Sequence, residues 1–396
     1  MMYDLKITVQ RSLYPWLISL LIFLVPIQAF SQVPAGAISA PTNINQNDCP
    51  CIFPDGRVMF KLEAPEADHV QIDLVGKVYD MQKNEEGMWS VTTDPQEAGF
   101  HYYSLVMDGY KVADPASESF YGMGRMASGI DIPEEGIDFY SPKDVPHGEI
   151  RSRSYFSNTS ETWRDINIYT PPGYDENPQI SYPVLYIQHG GGEDERGWAV
   201  QGKLNMILDN LIAEGKAVPM IVAIPDGHVS KPGVEAQGYN DAAMAVFREE
   251  LFENVIPLVE EHYRVKAGAE HRALAGLSMG GGQTFYTGLR NPDIFKGGLG
   301  IFSTGLFGGI GRAEGSEFDP EEIIPGILTQ SQSFNDKLDI LYISVGEQDQ
   351  RIEATKKLIE TFRENGLEVE FASFPGGHEW QVWRKSLHDF AQKIFR

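Results

Sequence analysis

The sequence predicts an α/β fold over residues 150–396, a doubly wound and mostly parallel sheet, preceded over 49–145 by a small all-β sandwich of immunoglobulin-like kind. Three observations carry this. In the second half, short continuous apolar runs alternate with segments of helical period, the pattern of parallel strands buried on both faces. In the first half, short β-rich segments follow one another with Pro, Gly and Asp between them. At 396 residues the chain has room for both units, and its composition is that of a globular protein.

The elements follow in order. Residues 1–31 read as a signal peptide outside the fold. Lys6 and Arg11 precede the apolar run Leu17–Ile27, and Ala29-Phe30-Ser31 supplies small residues where a signal peptidase reads. The run is short for a bilayer span, so a retained anchor is the lesser reading, and no membrane partner is expected after cleavage. Residues 32–48 are rich in Pro, Ala, Asn and Gln and read as a flexible leader. Cys49 and Cys51 are too few for a disulfide framework and too few for a zinc site, and read as incidental thiols. Strands are expected at Arg57–Leu62, His69–Leu74, Met88–Thr93 and His101–Met107, an irregular stretch at Phe120–Gly129, and a linker at Pro142–Ile150.

From residue 151 the pattern changes. Thr162–Tyr169, Tyr182–Gln188, Met220–Ile224, Arg272–Leu277, Gly297–Ser303, Leu338–Val345 and Val369–Phe374 read as strands. Leu204–Glu214, Ala242–Tyr263, Ile352–Asn365 and Val382–Phe395 read as helices, the second of them one long amphipathic helix. The net charge of −24 argues against nucleic acid or an anionic membrane surface as partner.

Chemistry concentrates in HRALAGLSMGGG, residues 271–282. Ser278 stands between Gly276 and Gly280 in the G-x-S-x-G pattern, with an apolar strand before it and a helix after. A serine hydroxyl at neutral pH needs a base, and the base needs an orienting acid. In a doubly wound hydrolase with this serine turn these follow in the order serine, acid, histidine, each on a loop past a strand. GEQD after Leu341–Val345 offers Asp349, with Glu347 as competitor, and PGGHEW after the next strand offers His378. An oxyanion needs backbone donors. Met279, directly after the serine, supplies one. The loop His189-Gly190-Gly191-Gly192 supplies the other, with Gly191 preferred and Gly190 or Gly192 open. His189 reads as a brace for that loop. No metal and no organic cofactor is implied, because no His/Cys cluster has ligand spacing.

Taken together, RALAGLSMGGGQ, QHGGGEDERGW, GEQD and GGHEWQVWR resemble carbohydrate esterase family 1, the esterase D-like branch of the α/β-hydrolases that includes feruloyl and acetylxylan esterases. The resemblance covers roughly 150–396. The segment before it is similar to the early-set N-terminal domain of such esterases, itself like family 48 carbohydrate-binding modules. The resemblance implies Ser278 as nucleophile, His378 as base and Asp349 as orienting acid. With the signal peptide over 1–31, it implies a secreted or periplasmic esterase that releases hydroxycinnamic acids from arabinoxylan. The alternatives are an acetylxylan esterase, a siderophore trilactone esterase, and a non-catalytic carbohydrate-binding protein. One departure is GEQDQR, which lacks the aromatic residue that feruloyl-type members often carry soon after the aspartate. Trp198 and Trp380 are candidate walls of an aromatic acyl pocket or packing residues, and Asp226 is a candidate substrate contact or a turn former. For the N-terminal part, glycan binding would need exposed aromatics, for which Trp89, Tyr102, Tyr103 and Tyr110 are available, about half of them pointing inward by strand alternation. Docking against the catalytic part, to shape the mouth of the cleft, is the favoured role.

Overall fold

The computed structural model describes residues 33–236, 238–308 and 318–396. The signal peptide expected over 1–31 lies outside them. Val33–Arg396 forms one compact unit.

Eight strands build the main sheet: β1 (Glu149–Ser157), β2 (Thr162–Thr170), β3 (Val184–Gln188), β4 (Ile221–Pro225), β5 (Arg272–Leu277), β6 (Gly298–Phe302), β7 (Leu341–Gly346) and β8 (Glu370–Phe374). Their spatial order is β1-β2-β4-β3-β5-β6-β7-β8. β1 pairs antiparallel with β2 and β2 with β4; every later pairing is parallel. This is the α/β-hydrolase arrangement. β3 to β7 are buried along their length save Arg272 at the start of β5, as strands covered on both faces must be. One face carries the core of Tyr186, Phe247, Leu274 and Phe285, the other that of Leu185, Leu208, Ala275 and Leu387.

The all-β part consists of two antiparallel sheets, one ordered Ile38–Ser39, Cys51–Ile52, Val58–Glu63, Met88–Thr92 and Gln82–Lys83. The other is ordered Ser119–Gly122, Arg125–Ile132, Gly99–Met107, Val70–Leu74 and Lys77–Asp80, with Tyr110–Val112 beside Gly99–Met107. Phe60, Ile72, Tyr103, Leu105 and Ile130 fill the space between them. On the alternate face of Gly99–Met107, Phe100 joins the core of the main sheet instead. A buried fork ties the two parts together: Arg384, on the helix Trp380–Ala391, donates to Asp131 Oδ1 at 3.1 Å and Oδ2 at 2.9 Å, and to the Gln201 carbonyl.

Three local expectations are corrected. Phe120–Gly129 is a hairpin rather than irregular, because its glycines seat aromatic rings: a Cβ on Gly122 would meet the Tyr102 ring, and one on Gly129 the Phe100 ring. The flexible leader is in part ordered. Ile38–Ser39 pairs with Cys51–Ile52, and Asn43 Nδ2 donates to the Asn47 and Pro50 carbonyls. The long helix at Ala242–Tyr263 contains a π turn at Leu251–Val255, just before Pro257, which has no amide to continue the α ladder. Cys49 and Cys51 are free thiols.

Candidate active site

Ser278 occupies the sharp turn between β5 and the helix Met279–Arg290, at φ +51° and ψ −109°. The turn is possible only with small neighbours. A Cβ on Gly276 would stand 2.4 Å from the Gly280 backbone, and one on Gly280 2.5 Å from Gln188 Cβ and 2.7 Å from the His189 carbonyl. The helix thus packs directly on the end of β3. The Ser278 amide donates to the Phe302 carbonyl at 2.8 Å, which holds the strained residue in place.

Ser278 Oγ lies 2.9 Å from His378 Nε2, and His378 Nδ1 lies 2.8 Å from Asp349 Oδ2. The carboxylate makes Nδ1 the protonated nitrogen and leaves Nε2 free to accept from the serine. Asp349 Oδ1 accepts from the Arg351 amide and guanidinium at 3.0 and 2.9 Å. Burial works against the Asp349 charge, but His378 and Arg351 outweigh it and hold the carboxyl below the usual carboxylate range. The competitor Glu347 is exposed. The two supporting loops brace each other, with the Gln348 amide on the Gly376 carbonyl and the Gly376 amide on Gln348 Oε1.

The loop after β3 stands opposite. The Gly190 amide is spent on Glu193 Oε2 at 3.2 Å. Gly191 lines the cavity beside Ser278, and among the described residues no acceptor meets its amide. Met279 is the first residue of its helix, so its amide has no intrahelical acceptor. His189 is fully buried; its Nε2 accepts from the Gly227 amide at 2.8 Å, so Nδ1 carries the proton and donates to the Gly190 carbonyl. Nε2 also sits 3.2 Å from Asp226 Oδ1.

A cavity of about 380 Å³ opens over Ser278 and His378. Phe100, Tyr102, Trp380 and Trp383 are its aromatic lining. The placement of the sequence-derived candidates is therefore uneven. Trp380 lines the cavity, whereas Trp198 does not: it is wholly buried, its indole donates to the Gln188 carbonyl at 2.9 Å, and it stacks edge-on behind Trp380. An indole N–H that needs a partner out of water found it in the strand below rather than in the cleft. Asp226 is also outside the cavity. It caps the turn by accepting from the His228 amide and borders a separate polar groove.

Sequence reasoning did not reach several residues of this site. Tyr102 crosses from the all-β part, where it donates to Glu193 Oε1 at 3.1 Å and accepts from Gln201 and from the Trp380 indole. Glu193 is thus held by Tyr102 on one oxygen and by Gly190 on the other, and burial raises its pKa above the usual value. The Gly124 amide reaches the same loop, donating to the Gly192 carbonyl at 2.9 Å. His101 Nδ1 stands 3.2 Å from Glu379 Oε2, close enough for an ion pair though not aligned as a hydrogen bond. Of these, only Glu193 carried a signal, as a carboxylate inside a glycine-rich loop. Tyr102 is 91 residues away in the chain.

An α/β-hydrolase sheet with these groups gathered at its carboxyl edge defines a carboxylic ester hydrolase. The family model named Esterase matches residues 157–394, and the chain belongs to that family. It is similar to the endo-1,4-beta-xylanase/feruloyl esterase of Xylanibacter ruminicola, 35% identical over 368 residues, which are 90% of this chain and 47% of that one. Endo-1,4-beta-xylanase Y of Acetivibrio thermocellus is 31% identical over 192 residues, 46% of this chain and 16% of that one. The chain spans about half the length of the first relative and less of the second. Among solved structures, a ferulic acid esterase of Anaeromyces mucronatus matches with TM-score 0.54 at 28% identity, over 65% of this chain and 96% of that one. The enterobactin esterase of Shigella flexneri matches with TM-score 0.63 at 18% identity over 86% of this chain and 94% of that one, a likeness of fold.

Proposed function

We propose that the chain is an exported serine esterase that removes hydroxycinnamoyl groups, chiefly feruloyl, from arabinoxylan. The observation that carries this is the relay Ser278–His378–Asp349 at an aromatic-lined cavity. Ser278 Oγ attacks the ester carbonyl while its proton passes to His378 Nε2. The Asp349 carboxylate stabilises the imidazolium and keeps its tautomer. The Met279 and Gly191 amides receive the oxyanion. Collapse expels the sugar hydroxyl, protonated by His378, and leaves an acyl-enzyme on Ser278. Water, deprotonated by His378, then attacks the acyl carbon and releases the free acid.

The cavity supports the substrate class. About 380 Å³ bounded by Phe100, Tyr102, Trp380 and Trp383 accommodates a planar aromatic acid, whereas an acetyl group would leave most of that apolar space unfilled. The activities in the names of the Xylanibacter and Anaeromyces relatives point the same way. The test compares methyl ferulate with a small acetyl ester, beside Ser278→Ala. Preference for ferulate, abolished in the variant, is expected. Preference for acetate would move the substrate to the acetylxylan class, and ferulate turnover that survives Ser278→Ala would refute the mechanism.

A further inference from the structure

The aromatic residues weighed for glycan binding in the all-β part do not form an exposed row. Trp89 and Tyr103 are buried and Tyr102 lines the cavity; only Tyr110 is exposed. Elsewhere an exposed aromatic pair does occur. Phe156 on β1 and Trp163 on β2 are cross-strand partners, with ring centroids 5.9 Å apart and planes at 79°. Trp163 is 69% exposed and Phe156 49%. Large rings left this open in a folded chain call for an explanation.

Their position supplies one. β2 pairs with β4 only from Ile166, opposite Pro225, so Thr162–Asp165 projects past the carboxyl end of β4, on the edge where Ser278 lies. Asp165 follows Trp163 by two residues and so shares its face. It borders an open polar groove of about 740 Å³, with Tyr121, Glu195, Arg196, Asp226 and His228. Glu193 borders both this groove and the catalytic cavity. At the adjoining turn, Met123 faces the cavity and Gly124 the groove.

We propose that the Trp163–Phe156 pair and this groove bind the polysaccharide chain that carries the scissile ester, with Trp163 stacking on a sugar ring. The inference rests on the reading of the substrate as a glycan ester. The chemistry favours a neutral polyhydroxylated chain. Aromatic faces take the C–H faces of sugars, carboxylates accept from hydroxyls, and a net charge of −24 repels polyanions. The acyl group enters the cavity while sugar units on one side of the esterified residue run along the groove to Trp163.

Two measurements on the full chain test this. In the first, kcat/KM is compared on methyl ferulate and on feruloylated arabinoxylan for wild type and Trp163→Ala. A fall of about tenfold on the polymer, with methyl ferulate unchanged, is expected. No change on either substrate, or an equal fall on both, would overturn the proposal. In the second, mobility in gels containing de-esterified arabinoxylan reads glycan binding without chemistry. Wild type and Ser278→Ala should be retarded equally and Trp163→Ala less. Unretarded wild type would sink the glycan track even with ferulate released normally. Retardation that depends on Trp163, with no ester turnover, would keep the track and sink the esterase reading.

Discussion

The main sheet and the all-β part meet at one cavity, but they contribute to it by different rules. The main sheet delivers its groups from loops at the ends of parallel strands: Ser278 after β5, Asp349 after β7, His378 after β8 and Gly191 after β3. Each sits where backbone direction and strand register leave little freedom. The all-β part delivers Phe100 and Tyr102 from one face of a strand, Gly99–Met107, whose other face fills a separate core. The first arrangement brings Ser278, His378 and Asp349 into hydrogen-bond reach of one another. The second makes a wall, and through Tyr102 and Gly124 it also grips the loop that carries Gly191. The groups proposed to react are built on one framework, and their support comes partly from another.

The comparison can be broken first at its chemical side. Ser278→Ala and Asp349→Asn should lower kcat by about 10⁴-fold or more without unfolding the chain, read by ester hydrolysis and circular dichroism. A smaller loss would mean that the relay is not the engine.

The next effect lies in the joint between the parts. Arg384→Ala leaves the Asp131 carboxylate and the Gln201 carbonyl without their buried partner, at a cost of about 3–5 kcal/mol. Thermal melting should show a clear drop in Tm. Separate melting of the two parts would say that the fork is what makes them one unit.

Tyr102→Phe keeps the ring and removes the hydroxyl that holds Glu193. A loss of about 1 kcal/mol, or roughly fivefold in kcat with KM on methyl ferulate retained, is expected. A rise in KM alone would reduce Tyr102 to a pocket wall.

The smallest effect depends on pH. Burial lowers the His101 pKa, but the Glu379 carboxylate outweighs it and the net shift is upward; Glu379 is shifted downward by the same pairing. A raised histidine stabilises the fold fully below its unfolded value of about 6.5, and this is lost as pH rises through the folded value. A lowered glutamate stabilises above its unfolded value of about 4.3 and loses this as pH falls. The Tm difference between wild type and His101→Ala should therefore be largest between about pH 4.3 and 6.5 and shrink at alkaline pH. A difference that stays unchanged from this range into alkaline pH would remove the ion pair from the account.

The sequence by itself pointed to seven of the eight strands of the main sheet in their order along the chain, reading the start of Glu149–Ser157 as linker, and to the three residues that the structure brings into hydrogen-bond reach, Ser278, His378 and Asp349. Short continuous apolar runs bounded by turn residues read as buried strands, and Gly276 and Gly280 flank Ser278 because nothing larger fits the turn. Those constraints are local, so they are written locally. Only the tertiary structure decided which tryptophan faces the cavity. Trp198 and Trp380 look alike in sequence, yet one is committed to the Gln188 carbonyl and the other lines the cavity. Tertiary structure also decided the roles of Tyr102, Glu193 and Gly124, whose partners lie far away in the chain or across the joint. The hairpin at Ser119–Ile132 was equally unreadable, since its glycines answer to rings on a neighbouring strand. Period and spacing reveal what a segment does with its own neighbours. A contact between distant segments is set by how the layers stack, and no pattern within either segment encodes it.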